Sequence, residues 1–281
     1  VESQFPHISR GLGRGGDKKS AFTLAEVLIT LGVIGVVASI TLPTLIKEYN
    51  KHAWVNALKQ NYSLLNQGFK KMMADDGVEF IADTEVWRAM TYDCYHGYIV
   101  SLDQCKNFYP QLGKYFKIVS IEDISGKYKF KVNTTEYTAG PSATGQPKNH
   151  AMYLSNGAMI WRYYFYKNPN ISSNCDAIHN AGGHMCGLAG DFYIDVNGNR
   201  GPNELGKDIF YFYITERGQL VPEGGNDYAI YNASPNLTQE NIYKYKAIKG
   251  SNGECLFGSN SSCGKAYTGL LIDQLNWKMD Y

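Results

Sequence analysis

The run from Val27 to Ile46 holds 20 consecutive residues without an ionisable side chain, and nothing else in the chain restricts its structure as tightly. As an α-helix, such a run is long enough to cross a hydrocarbon core of about 30 Å. Arg10, Arg14, Lys18 and Lys19 precede it, so the excess of positive charge predicts a cytoplasmic N-terminus and a single pass that carries the remainder of the chain across. A secretory signal cleaved near "VVASIT" is the competing reading, but the run exceeds the roughly 7 to 15 residues of a signal's apolar region. Immediately before the run stands one carboxylate, Glu26. A charge at the centre of a membrane helix costs about 2.5 to 3.5 kcal/mol on insertion scales and usually marks a partner. Glu26 therefore needs a specific reason to be there.

Beyond Ile46 the pattern turns amphipathic. Trp54, Val55, Leu58, Tyr62, Leu65, Phe69 and Met72 recur at steps of three and four, with Lys51, Lys59, Gln60, Lys70 and Lys71 between them, which predicts one helix with an apolar stripe. Asp75, Asp76 and Gly77 end it, the glycine supplying a left-handed cap. A single helix is thus expected from Phe22 to Asp76. Pro43 lies inside it and removes one backbone hydrogen bond, predicting a bend or a locally melted turn. Gly32, Gly35 and Ser39 fall on nearly one face, where small side chains let another helix approach closely in lipid.

The residues "A-FTLAEVLITLGVIGVVASITLP" resemble the class III leader junction of type IV pilins and type II secretion pseudopilins. There a basic leader ends at Gly or Ala, cleavage precedes Phe, and Glu stands fifth after the cut. The resemblance places the scissile bond between Ala21 and Phe22, with Ala21 where Gly is commoner, and makes Phe22 the N-methylated first residue. It implies processing by a prepilin peptidase and insertion into the inner membrane with a cytoplasmic N-terminus and a periplasmic C-terminal domain. Its implied partners are the membrane, other pilin or pseudopilin subunits and an inner-membrane assembly platform. The product would be a type II secretion or type IV pilus filament, exposed at the cell surface in the second case. Glu26 would match the new amine of an incoming subunit's Phe22, while Gly32, Gly35 and Pro43 belong to the same assembly helix. For an unassembled subunit, a Glu26 hydrated at the headgroups or paired with its own amine is the alternative. The chain then divides into a leader over 1–21, a transmembrane and assembly helix over 22–46, its amphipathic continuation over 47–77 and a soluble globular domain over 78–281. The expected fold class is α+β and pilin-like, a long N-terminal helix packed on an antiparallel β-sheet domain.

The soluble part reads as strands and loops. "KYKFKV" is strand-like, "AMYLSNGAMIWRYYFY" predicts a hairpin turning at Asn156 and Gly157, and "GDFYIDV" and "DIFYFYIT" flank a long loop before "QLVP". An antiparallel meander of these strands can pack on the helix stripe. The six cysteines form three close couples: Cys94 and Cys105, Cys175 and Cys186, Cys255 and Cys263. Behind a membrane-directed segment, such couples favour local disulfides in an oxidising compartment. Cys175, His179, His184 and Cys186 offer a zinc alternative, but without the paired spacing that presets a tetrahedron.

Residues 195–208, "DVNGNRGPNELGKD", form the second informative stretch. Asp195, Asn197, Asn203 and Asp208 place oxygen donors along a glycine-rich turn, the hard ligand set that Ca2+ accepts. An ion-free loop closed by Asn and Asp side-chain turns is the alternative. An EF-hand is excluded, because Gly198 comes early and Gly206 occupies the position of the bidentate glutamate. The net charge of +1 offers no reason to expect nucleic acid. There is no G-x-S-x-G, Walker loop or H-E-x-x-H, and no carboxylate or serine at a catalytic spacing stands near His52, His96 or His150 in the sequence, so no enzymatic activity is expected. The competing function is a membrane-tethered, adhesin-like binding module that does not polymerise. Glu26 and the Ala21–Phe22 junction separate the two, since a mere anchor needs neither.

Overall fold

The computed structural model describes residues 23–90, 98–99, 105, 107–132, 135–140, 148–165, 188–222, 268–269, 271–272 and 275–279. It forms two compact units, Val1–Glu48 and Tyr49–Tyr281. Helix α1, Leu24–Asp76, supplies residues to both.

In the first unit the helix is described from Leu24, and Thr23, just before it, caps it through its bonds with Glu26. Its apolar side chains have no cover: Leu28, Ile34 and Ile40 are all more than half exposed. This part of α1 is long and apolar enough to cross a membrane. The helix runs through Pro43 without interruption; the melted turn expected there does not form, since a proline removes only one hydrogen bond of a long ladder. The hydroxyls of Thr30, Ser39 and Thr41 donate to the carbonyls of Val27, Val36 and Val37 at 2.9, 2.8 and 3.0 Å. Each polar group thus finds its partner within its own helix, as an apolar solvent demands.

In the second unit α1 buries Val55, Leu58, Leu65, Phe69 and Met72, the predicted stripe at steps of three and four. Gly77, at φ 65°, stops it, and the N–H of Val78 donates to the carbonyl of Met73 at 3.0 Å, closing the end as a left-handed glycine cap does. Short helices α2 (Glu85–Arg88) and α3 (Phe108–Phe116) follow, with strand β1 (Tyr98–Ile99) between them. The remaining strands are β2 (Ile118–Asp123), β3 (Lys129–Val132), β4 (Thr135–Thr138), β5 (Lys148–Leu154), β6 (Met159–Phe165), β7 (Leu188–Asp195), β8 (Ile209–Thr215) and β9 (Leu220–Pro222).

Strands β5 to β9 are an antiparallel meander, β1 and β2 both pair with β5, and β3 and β4 make a separate two-stranded sheet. The β5–β6 turn is the expected one: Gly157 takes φ 88° and the side chain of Asn156 accepts from the N–H of Ala158 at 3.1 Å. One sheet face packs on α1 through Met152, Ile160, Phe192, Ile194 and Phe212. Each such side chain contributes about 1.5 to 3 kcal/mol when fully buried. The other face carries Ala151, Met159, Trp161, Tyr193 and Tyr211, covered in part by Tyr128 and Phe130. Between Trp161 and Tyr164 the register slips, with Arg162 at φ 46°. That bulge adds a residue to the alternation, so Trp161 faces one core and Tyr163 the other. Polar side chains fasten α1 to the sheet: Asn156 donates to Asn61 Oδ1 at 2.9 Å, and Asn66 Oδ1 accepts from the N–H of Leu220 at 2.9 Å.

Candidate functional site

The meander brings Asp195, at the end of β7, opposite Asp208, just before β8. Both carboxylates are fully buried. Asp195 Oδ1 accepts from the N–H of Asn197 at 3.2 Å, and Oδ2 from the hydroxyl of Tyr128 at 2.7 Å. Asp208 Oδ1 accepts from the N–H of Glu204 at 2.7 Å, and Oδ2 from the N–H of Asn203 at 2.9 Å. Burial above all, and then the charge of Asp208, push the Asp195 carboxyl up to about 8. Burial also raises Asp208, against the pull of the N–H donors of Glu204 and Asn203.

The other oxygen donors divide. Asn197 donates to the carbonyl of Gly201 at 2.8 Å, but its Oδ1 is buried without a hydrogen-bond donor. Asn203 instead uses its carboxamide on the backbone, accepting from Gly201 N at 2.8 Å and donating to Lys129 O at 3.0 Å. Glu204 pairs with Lys207 at 2.6 Å and leaves the charge balance of the two aspartates unchanged. Gly198 is held at φ 67°, and a Cβ there would stand 2.7 Å from the carbonyl oxygen of Gly157; the loop is seated against the β5–β6 turn at a point only glycine fits. Among the described residues no three His, Cys, Asp or Glu side chains gather into a metal-holding group, so an ion here would draw its charge from two carboxylates.

At the start of α1, the N–H and hydroxyl of Thr23 both donate to Glu26 Oε2, at 2.8 and 2.9 Å, and the N–H of Glu26 donates back to Thr23 Oγ1 at 3.2 Å. This reciprocal arrangement is a capping box, which satisfies orphan donors of the first helical turn. Glu26 thus enters the apolar helix already partnered on one oxygen. Gly32 and Gly35 have open space where a Cβ would lie.

Residues 16–42 match the prokaryotic N-terminal methylation motif. This is the prepilin-type signal of type IV pilins and pseudopilins, and it implies processing by prepilin peptidase. The match spans the junction at Ala21 and Phe22, which lie outside the described residues, and reaches through Glu26, Gly32 and Gly35 to just short of Pro43. No curated protein and no solved structure matches the chain. A long N-terminal helix followed by an antiparallel sheet is the pilin-like α+β arrangement that this prepilin-type segment leads one to expect.

Of the cysteines, Cys105 is buried and disulfide-bonded. Cys94, Cys175, Cys186, Cys255 and Cys263 lie outside the described residues, as do His179 and His184. Thr23 and Tyr128 are the two site residues that sequence reasoning passes over. The spacing T-x-x-E announces the first. Nothing local announces the second, whose partner is 67 positions away.

Proposed function

We propose that this chain is a membrane-anchored pilin-like or pseudopilin subunit that polymerises through α1 into a type II secretion or type IV pilus filament. The methylation motif over residues 16–42 carries this reading. The bare apolar surface of the same segment supports it, since side chains such as Leu28 and Ile40 require lipid or neighbouring helices as solvent. In the assembled state the free Oε1 of Glu26 faces the methylated amine of Phe22 on the next subunit, while Thr23 holds Oε2. The single-pass topology has the N-terminus in the cytoplasm and the globular domain in the periplasm, and the inner-membrane assembly platform receives the subunit. Mass spectrometry of the mature N-terminus tests the processing step, with methylated Phe22 expected as the first residue. Glu26→Ala should leave cleavage intact and abolish incorporation into filaments. A mature chain beginning near Ile40, or normal assembly of the variant, would defeat the proposal.

The 195–208 loop is proposed as a Ca2+ site. Asp195 and Asp208 supply the charge, Asn197 Oδ1 a neutral oxygen, and Asn203 the backbone geometry around them; each carboxylate oxygen keeps a second lone pair for the ion. What supports this reading is a pair of buried carboxylates in one loop that also holds Asn197, whose Oδ1 is buried without a hydrogen-bond donor. A bound ion would neutralise the pair and close the loop.

A further inference from the structure

A groove of about 640 Å3 lies along α1 beside the end of α3. Gln60, Ser63 and Gln67 line its α1 wall at steps of three and four, and Tyr115 and Lys117 form the wall opposite. Lys59, Lys71 and Lys117 stand around it, and no carboxylate lines it. Lys71 shows what such a rim takes: it lies 5.9 Å over the Tyr115 ring and donates to the two oxygens of Asp75 at 2.9 and 2.6 Å. Lys59, 5.4 Å over the ring of Trp277, and Lys117 are exposed, and among the described residues neither has an ion pair. The groove therefore offers two unneutralised ammonium groups with amides and a hydroxyl between them, a donor set for carboxylates on an extended segment.

The chain carries the complement of this groove. Residues 75–85 hold Asp75, Asp76, Glu79, Asp83 and Glu85 and no Lys or Arg. Glu79 and Asp83 pair with Arg217 and Arg88 at the surface, where every partner stays at least half exposed; exposed Glu85 has no ion pair among the described residues. Asp76 cannot serve Lys59 of its own chain, because α1 rises about 25 Å between them. We propose that the groove receives residues 76–85 of a second copy, displaced along α1 by about 20 Å. This deepens the filament reading and rests on it. The contact joins two different patches, so its repetition translates and extends a fibre where a two-fold contact would close a dimer. Exposed charges add little affinity and chiefly set orientation and register, so the groove aligns copies that the apolar half of α1 holds together.

The test is zero-length carbodiimide cross-linking of filaments of the protein, with peptide mapping of the dimer band against the monomer band. Links from Lys59 or Lys117 to Asp76 or Glu85 are expected in the dimer band alone. Filaments in which these lysines link to other carboxylates, or to none, would overturn the contact and leave the filament reading standing. Absence of any filament would remove both. Lys117→Glu should lower filament yield about tenfold at unchanged Tm, and adding Glu85→Lys should restore it. Normal yield in the single variant, or no recovery in the pair, would equally overturn the proposal.

Discussion

Asp195 shows how far one side chain can be taken from its solution behaviour by its surroundings. Its carboxyl ordinarily titrates near 4, but in the ion-free protein burial and the neighbouring Asp208 raise it to about 8. Between those values the folded state holds a proton that the unfolded state has lost. The stability this contributes is complete below the unfolded value and is lost as pH rises through the folded one. In chelator, the melting temperature should therefore fall from mildly acidic pH toward pH 8, and Asp195→Asn should flatten the dependence. Melts that rise over this interval would contradict the assignment. At the same scale, Thr23 stood in plain view as T-x-x-E, a pairing that the neighbouring apolar run overshadows. Tyr128 did not, because its meaning lies in a hydrogen bond made only after β3 and β7 have come together.

Elements were more legible than their irregularities. The stripe of α1, the Asn156–Gly157 hairpin and the β7–β8 pair follow from local periodicity and turn chemistry, which act over a few residues. The bulge at Arg162 is invisible in sequence because β6 reads as a continuous aromatic strand; only the demands of two cores on opposite faces decide where the alternation slips. The attachment of β3 to residues 203–205 was equally hidden, being a contact across some seventy positions. Helix packing yields a sharper test. Gly68 of α1 lies directly under the ring of Phe116 in α3, and a Cβ there would collide with it. Phe116 is itself packed edge-on to Phe69, with centroids 4.8 Å apart, and has little freedom to move. Gly68→Ala should destabilise the protein by about 1 to 3 kcal/mol through overpacking, despite alanine's better helix propensity. A rise in melting temperature in that variant would show that α3 can yield.

For the whole molecule, the division of labour follows the two units. The first carries the prepilin-type segment and exposes its apolar residues; the second buries its own core and displays loops. All six cysteines fall in the second. Cys105 is bonded, and pairing of Cys94 with Cys105, Cys175 with Cys186 and Cys255 with Cys263 should emerge from peptide mapping under non-reducing conditions. Each would close a short loop worth about 2 to 3 kcal/mol on chain-entropy estimates. Free thiols, or cross-couple pairs, would refute this assignment.

The hydroxyls of Thr30, Ser39 and Thr41 turn inward onto their own helix, and this bears on the mechanics of anything built from such helices. Hydroxyls whose protons are already engaged offer neighbours no donor, so lateral contact in lipid would be governed chiefly by shape, around Gly32 and Gly35. Shape-governed contacts slide and roll at small cost, whereas hydrogen-bonded ones break. A fibre of these helices would behave as a bundle of lubricated rods pinned at one end by Glu26: stiff in register, yielding in bending and twist.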